Sequence, residues 1–284
     1  MDSSRVFTST ILVNEFTGTI ECLAYYSQRV LIGTKDGRLI LYDMRKGGNS
    51  PVASYTFPHR KSITQITAIP HIRSILVLCN KEIHVFAATD LERKSSQFEV
   101  ATGTLVFTVN QRGPPHYRVC AVLSSKVMLF ELKDSKYILL REFPIVSQTT
   151  TTPDKIVWYR NKIILAYPTT YTIMNDKSGD TISVIDGAII NGKTVLKLLP
   201  HDTLLLSSSE NTAMFMDLNG NAMDKNPLSF KTLPKKVVFS LSYLVAHVDS
   251  GLEIHSLHDS SLVQVGVVSY LDNIFMNLIQ HIRQ

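Results

Sequence analysis

Six times along the chain an almost uninterrupted apolar run is followed, across a short polar turn, by a second run that sets polar residues among hydrophobic ones. The segments are VLIGTKDGRLILYD from Val30, ILVLCNKEIHVFA from Ile75, VCAVLSSKVMLFE from Val119, IILAYPTTYTIMN from Ile163, LLLSSSENTAMFMD from Leu204 and LVAHVDSGLEIHS from Leu244. Their starts lie 45, 44, 44, 41 and 40 residues apart, inside the window of about 40–45 residues that marks a four-stranded propeller blade. The near-continuous first run is what a strand buried on both faces requires. The second run predicts alternation, with Leu39 and Leu41 on one face against Arg38 and Ile40 on the other. The turns carry suitable residues. Asp36-Gly37 and Ser250-Gly251 supply a positive φ without a Cβ penalty, and Asn80 and Asn211 tolerate the left-handed region.

Each hairpin is preceded by another short strand pattern (IECLAYY, ITQITAI, LVFTV, IVWYR, VLKLL, VVFSLS) and followed by a weaker one (VASYTF, QFEVA, YILLREF, TISVI, LSFKTL, LVQVGVV). Four strands per repeat with a regular super-period predict an all-β propeller in preference to packed β-sandwiches. The Trp-Asp and Gly-His signatures of WD40 blades are absent from the sequence. Arg5 to Val13 reads as one lone strand of the kind that joins a final blade, and no seventh hairpin is visible. Leu271, Ile274, Phe275, Leu278, Ile279 and Ile282 follow helical spacing. The expected organisation is therefore a propeller over residues 1–269 with its last blade incomplete, followed by a short amphipathic helix over residues 270–284.

Composition narrows the class further. With 284 residues, 44% of them apolar and 19% charged, the chain is able to build a substantial core, which excludes disorder and fibrous architectures. No window approaches about 18 consecutive apolar residues, and Asp2 and Glu15 fall where a secretory signal needs an apolar stretch. Cys22, Cys79 and Cys120 are far apart and form no CxxC pair, a pattern suited to a reducing compartment. The net charge of +5 comes from basic residues scattered among acids, which is a weak electrostatic footprint.

Candidate chemistry is sparse. The densest histidine group is His247, His255 and His258, with Asp249 and Glu253 nearby as conceivable co-ligands of a metal. Strand alternation sets His255 and Glu253 opposite Leu252 and Ile254 and leaves His258 in the next turn, so solvated strand and loop histidines are the expectation. Cys120 follows His116, yet Pro114-Pro115 marks a loop and Cys120 sits in a buried-type strand where thiols are inert. The run GTKDGR lacks the spacing and following helix of a phosphate-binding loop and is better explained as a hairpin turn. Thr149 to Thr152 and Pro153 make a polar linker between the third and fourth repeats, where phosphorylation is conceivable but an ordinary loop is expected. Lys231, Lys235 and Lys236, with Arg60 and Lys61 in another loop, form a basic patch of the type that touches anionic lipid at about 1 kcal/mol per cation. A lone Trp158 and scattered tyrosines do not make a nucleic-acid surface. No catalytic, cofactor-binding or metal-binding residue is assigned, and no nucleic-acid or small-molecule partner is expected.

The runs ECLAYYSQRVLIGTKDGRLILYDM and SITQITAIPHIRSILVLCNKEIHVFAATDL resemble the opening of a citron homology (CNH) domain. Through VCAVLSSKVMLFELKDSKYILLREF and PDKIVWYRNKIILAYPTTYTIM the resemblance is to the amino-terminal propellers of the vacuole and late-endosome tethering subunits of the HOPS and CORVET class and of TGF-β receptor-associated protein. It covers about residues 15 to 268 and rests on the order of short elements over four blades. The resemblance implies a seven-bladed, non-catalytic docking module without cofactor. It also implies small GTPases and other tethering-complex subunits as partners, and a cytoplasmic place, peripheral on late endosome or lysosome (vacuole) membranes. A citron homology regulatory domain of a kinase or Rho-exchange factor is the alternative. The sequence departs from the tethering subunits in showing neither their α-solenoid nor a written seventh blade.

Overall fold

The structure, a computed structural model, describes residues 16–46, 50–94, 102–110, 117–145, 151–184, 194–209, 211–240 and 242–266. Among these the chain forms six four-stranded antiparallel sheets in which hydrogen-bonded neighbours are neighbours in sequence, the architecture of a β-propeller. Blade 1 comprises β1 Ile20–Tyr26, β2 Arg29–Thr34, β3 Arg38–Asp43 and β4 Pro51–Thr56. Blade 2 is β5 Ile63–Ile69, β6 Ser74–Cys79, β7 Glu82–Ala87 and β8 Arg93–Lys94, and blade 3 is β9 Val106–Asn110, β10 Arg118–Val122, β11 Lys126–Lys133 and β12 Lys136–Pro144. Blade 4 follows with β13 Lys155–Tyr159, β14 Lys162–Ala166, β15 Tyr171–Asn175 and β16 Thr181–Val184. Blade 5 is β17 Leu196–Leu199, β18 Thr203–Ser209, β19 Thr212–Met216 and β20 Leu228–Ser229, and blade 6 is β21 Lys236–Ser240, β22 Tyr243–Val248, β23 Gly251–Ser256 and β24 Leu262–Gly266. Blades 1 to 3 lie in one compact unit, within Ser9–Val146, and blades 4 to 6 in a second that includes Ser147–Gln284.

All six hairpins fall where the apolar runs put them. The fourth strand of blade 2 does not: it pairs at Arg93 and Lys94 with Phe86 and Val85, and QFEVA lies outside the described residues. So do the lone strand expected at Arg5 to Val13 and the helix expected at 270–284. The expected alternation of the second run holds on β7 and β19, where buried and half-buried positions alternate, and needs correction on β3, where Leu39, Ile40, Leu41 and Tyr42 are all buried. Solvation is greatest at the fourth strand, where β4, β12, β16 and β24 are largely exposed.

Blade stacking explains the continuous apolar runs residue by residue. On β6, Ile75 and Val77 join the core shared with Leu31, Leu39 and Leu41 of blade 1, while Leu76 and Leu78 join Phe107, Val119 and Phe130 of blade 3. In the second unit Leu204 and Leu206 of β18 pack with Ile164, Tyr171 and Ile173 of blade 4, and Leu205 packs with Leu244 and Ala246 of blade 6. A strand between two cores needs an apolar residue at every position, each worth about 1.5–3 kcal/mol on full burial. A polar substitution on either face would open one of the two cores.

Polar contacts fix the spacing between blades. The Gln65 side chain donates to the carbonyl of Phe107 at 2.6 Å and accepts from its N–H at 3.1 Å, joining blades 2 and 3. The Tyr171 hydroxyl of blade 4 donates to the Val195 carbonyl at 2.9 Å and lies 2.6 Å from the Ser207 hydroxyl of blade 5. The Val195 N–H in turn donates to that serine oxygen at 3.0 Å. Burial pushes the Tyr171 phenol up to about 12, so it stays a neutral donor at physiological pH. The Cys22 thiol reaches the Ile63 carbonyl at 3.1 Å. Gly33 is small because of this closeness: a Cβ there would sit 2.6 Å from the Cys22 sulfur and 2.7 Å from the Ile63 side chain.

The first hairpin turns in the three residues Lys35 to Gly37, as its sequence predicts, with the Gly37 N–H donating to the Thr34 carbonyl at 3.2 Å. Gly37 has φ +76°, and a Cβ built on it meets the Lys61 carbonyl oxygen at 2.8 Å. Two penalties therefore coincide, positive φ for a β-branched residue and collision with a neighbouring backbone. Gly37→Val is expected to lower stability by about 1–3 kcal/mol in denaturant melts. Unchanged stability in that variant would contradict the turn geometry.

Candidate functional site

Several of the residues singled out for chemistry are buried in contacts between strands and loops. His255 is only 1% exposed and Glu253 4%, so the expectation of solvated histidines is corrected at His255 and at buried His247, while exposed His258 meets it. The His255 Nε2 lies 3.2 Å from a Glu253 oxygen, and the Glu253 carboxylate also accepts the Lys231 N–H at 3.1 Å. The Phe230 ring packs edge-on against the imidazole at 5.0 Å. His247 is buried on β22 and His258 stands in the turn after β23. Among the described residues no three histidine, cysteine or acidic side chains are grouped to hold a metal. Glu253 is thus a buried acceptor that ties the loop at Lys231 to blade 6.

Cys120 is fully buried on β10, and its candidate partner His116 lies outside the described residues, as do Thr149 and Thr150 of the threonine linker. Cys79 is buried too, with its thiol pushed up to about 11 by burial and by the nearby Glu82 charge, which leaves no reactive thiolate at neutral pH. Trp158 is buried in blade 4 and donates to Asp176 at 3.1 Å. The basic patch is also corrected. Lys235 pairs with Asp249 at 3.3 Å and Lys231 is exposed beside Glu253, whereas Lys236 repels Lys155 and Lys197 on neighbouring first strands. A sequence segment rich in lysine is not one surface when it crosses from a loop into a strand.

A cleft of about 410 Å³ lies between blades 5 and 6. Leu199, Pro200, Phe215 and Leu257 give it apolar walls, and His201, Thr203, Lys225, Ser242 and His258 give it polar ones. The backbone sets these positions. His201 and Asp202 turn with φ +58° each, and the Leu257 N–H donates to the Ser242 carbonyl at 2.8 Å. The Lys225 ammonium sits 5.3 Å from the Phe215 ring centre. Beside it the Ser260 hydroxyl donates to the Asn226 carbonyl at 2.6 Å, and hydrogen bonds from Ser256 and Ser261 hold the Asp259 carboxyl down at about 2. Cationic and acidic groups thus share one rim. The size suits a small ligand or a short peptide segment, and no nucleophile with an adjacent base lines it. Sequence reading missed it because its walls come from four turns, of which only His258 carried a signal.

If Glu253 is an architectural acceptor, Glu253→Ala strands the Lys231 N–H and His255 and is expected to cost about 1–3 kcal/mol in denaturant melts. Added zinc should leave the wild-type melting temperature unchanged. A zinc-dependent rise that disappears in Glu253→Ala would instead make the pair a metal site.

With the geometry established, known proteins supply the context. The family model of the CNH domain matches residues 26–272. The Vam6/Vps39-like protein of Mus musculus is 23% identical in an alignment 270 positions long, gaps included, that covers 86% of this chain and 29% of that protein. The vacuolar protein sorting-associated protein 39 homolog of Drosophila melanogaster is 22% identical in an alignment of 276 positions that covers 84% of this chain and 31% of the relative. The chain therefore spans about three tenths of the length of the curated relatives it matches. Among solved structures, the AfRom2 CNH domain superposes with a TM-score of 0.66 at 17% identity, covering 91% of this chain and 88% of that one. The β-propeller domain of Cps50 (Swd1) from Myceliophteria thermophila gives 0.67 at 16% identity, covering 93% and 90%. These structural likenesses bear on fold, and the family match over most of the described blades places the chain in the CNH domain family.

Proposed function

We propose that the chain is a non-catalytic interaction propeller of an endosome/lysosome (vacuole) tethering and vesicle-fusion complex, docking small GTPases or membrane-associated partners from the cytoplasmic side. The observation that carries this reading is its alignment, over more than four fifths of its length, with Vps39-type relatives. Two structural features support it. Glu253, Asp259 and Tyr171 hold blades and turns together. Binding surface is meanwhile available in the cleft between blades 5 and 6, and on outer strands where Ile138, Leu139, Leu140, Leu262, Val263 and Val265 are exposed. Exposed fourth strands are natural docking sites for an extended partner segment.

The test is affinity capture of the full-length cellular protein, followed by immunoblotting for tethering-complex subunits. Recombinant chain is assayed in parallel against endosomal small GTPases loaded with GTPγS or GDP. Co-purification with tethering subunits and a preference of at least about tenfold, or ~1.4 kcal/mol, for the GTPγS form are expected. Co-purification with a kinase or a Rho-exchange factor instead would move the chain to the citron homology signalling class.

A further inference from the structure

Given the docking role proposed above, on which this inference rests, we propose that the cleft between blades 5 and 6 binds an extended peptide segment of a partner, with an apolar, an acidic and a basic side chain at alternate positions. The 410 Å³ chamber does not end at Lys225 and His258. Both residues also line an adjoining recess of about 200 Å³, whose other walls are Asp224, Asn226, Asp259 and Ser260. The chamber offers apolar surface from Leu199, Pro200 and Leu257, whereas the recess is walled by polar groups and two carboxylates. Two pockets of different character therefore meet at one cation. Pro200, His201, Lys225, Ser242 and His258 are exposed, so the cleft is open along its walls. That suits a chain lying in it better than a small molecule, which needs enclosure.

The charges decide what fits. The Lys225 ammonium lies 5.3 Å from the centre of the Phe215 ring, and among the described residues no carboxylate pairs with it. A cation steadied over an aromatic face and left without an acid is a receptor for a carboxylate. The neighbouring recess asks for the opposite charge, because the Asp259 carboxylate stays ionised under the hydrogen bonds of Ser256 and Ser261 and exposed Asp224 shares the same walls. A wholly acidic segment is repelled there, and a wholly basic one is repelled at Lys225. Alternate side chains of an extended segment point to one side, so apolar, acidic and basic groups at every second position all face the cleft. Its walls are fixed in advance. The Leu257 N–H donates to the Ser242 carbonyl and the Lys225 N–H to the Met223 carbonyl, both at 2.8 Å, and the Ser260 hydroxyl ties the blade 6 turn to Asn226 of the blade 5 loop. Such preorganisation lowers the ordering cost of binding.

Fluorescence polarisation of the purified chain with the fluorescein-labelled peptide Gly-Leu-Ser-Glu-Ser-Lys-Gly tests the site. Saturable binding is expected, weaker by about tenfold or more when the peptide carries Ser in place of Leu or has its Glu and Lys exchanged. Lys225→Glu should melt at the wild-type temperature, lose about tenfold or more toward the original peptide, and bind a peptide with Lys in place of Glu more tightly than the wild type does. Absence of saturable binding, equal affinity for all the peptides, or affinity unchanged in Lys225→Glu would overturn the site. Loss in that variant with a lowered melting temperature and no gain toward the Lys peptide would do the same by making Lys225 structural. The titration contains no GTPase or tethering subunit, so its failure leaves the capture of those partners as expected, and failure of the capture leaves the peptide affinity as a separate result.

Discussion

Among the described residues the first strand of each blade pairs with a strand on one side only, so backbone groups along its other edge call for partners of another kind. An unsatisfied buried amide costs about 1–3 kcal/mol, so these edges dictate where blades are able to sit. The structure meets the demand with side chains sent across blade boundaries. Gln65 takes both backbone groups of Phe107, Tyr171 takes the Val195 carbonyl, and Cys22 takes the Ile63 carbonyl. Hydrophobic stacking supplies attraction between sheets without direction. The polar clamps supply the direction and thereby set which face of each strand meets which core.

This division explains how much the sequence discloses. Double-sided burial leaves a long apolar signature, so every second strand was legible, as in ILVLC at β6, where alternate residues serve different cores. Third strands were half legible. Ile40 interrupts no alternation because its face is covered too, and the fourth strands are the wettest. The short β8 escaped detection because Arg93 and Lys94 carry no apolar pattern.

The site was less legible than the fold, for a related reason. Glu253 and His255 look like surface groups until the neighbouring sheet is laid over them, and then they become a buried pair that anchors a loop. Lys236 looks like part of a run with Lys231 and Lys235, yet entry into β21 separates it from them and associates it with Lys155 and Lys197, some 40 to 80 residues away in sequence. A repeat that brings equivalent strand starts together creates such groupings, and they are invisible to any reading of local spacing. The cleft between blades 5 and 6 arises similarly, from turns that are adjacent only once the sheets have stacked.

Cross-blade clamping is tested most directly by native-state hydrogen exchange at the backbone amide of Phe107, which donates to the Gln65 side chain of the neighbouring blade. The account predicts that it exchanges as slowly as the central-strand amides of β10, through opening of the whole unit. Exchange as fast as that of the outer strands β12 and β24 would contradict it, and would mean that apolar stacking alone positions the blades.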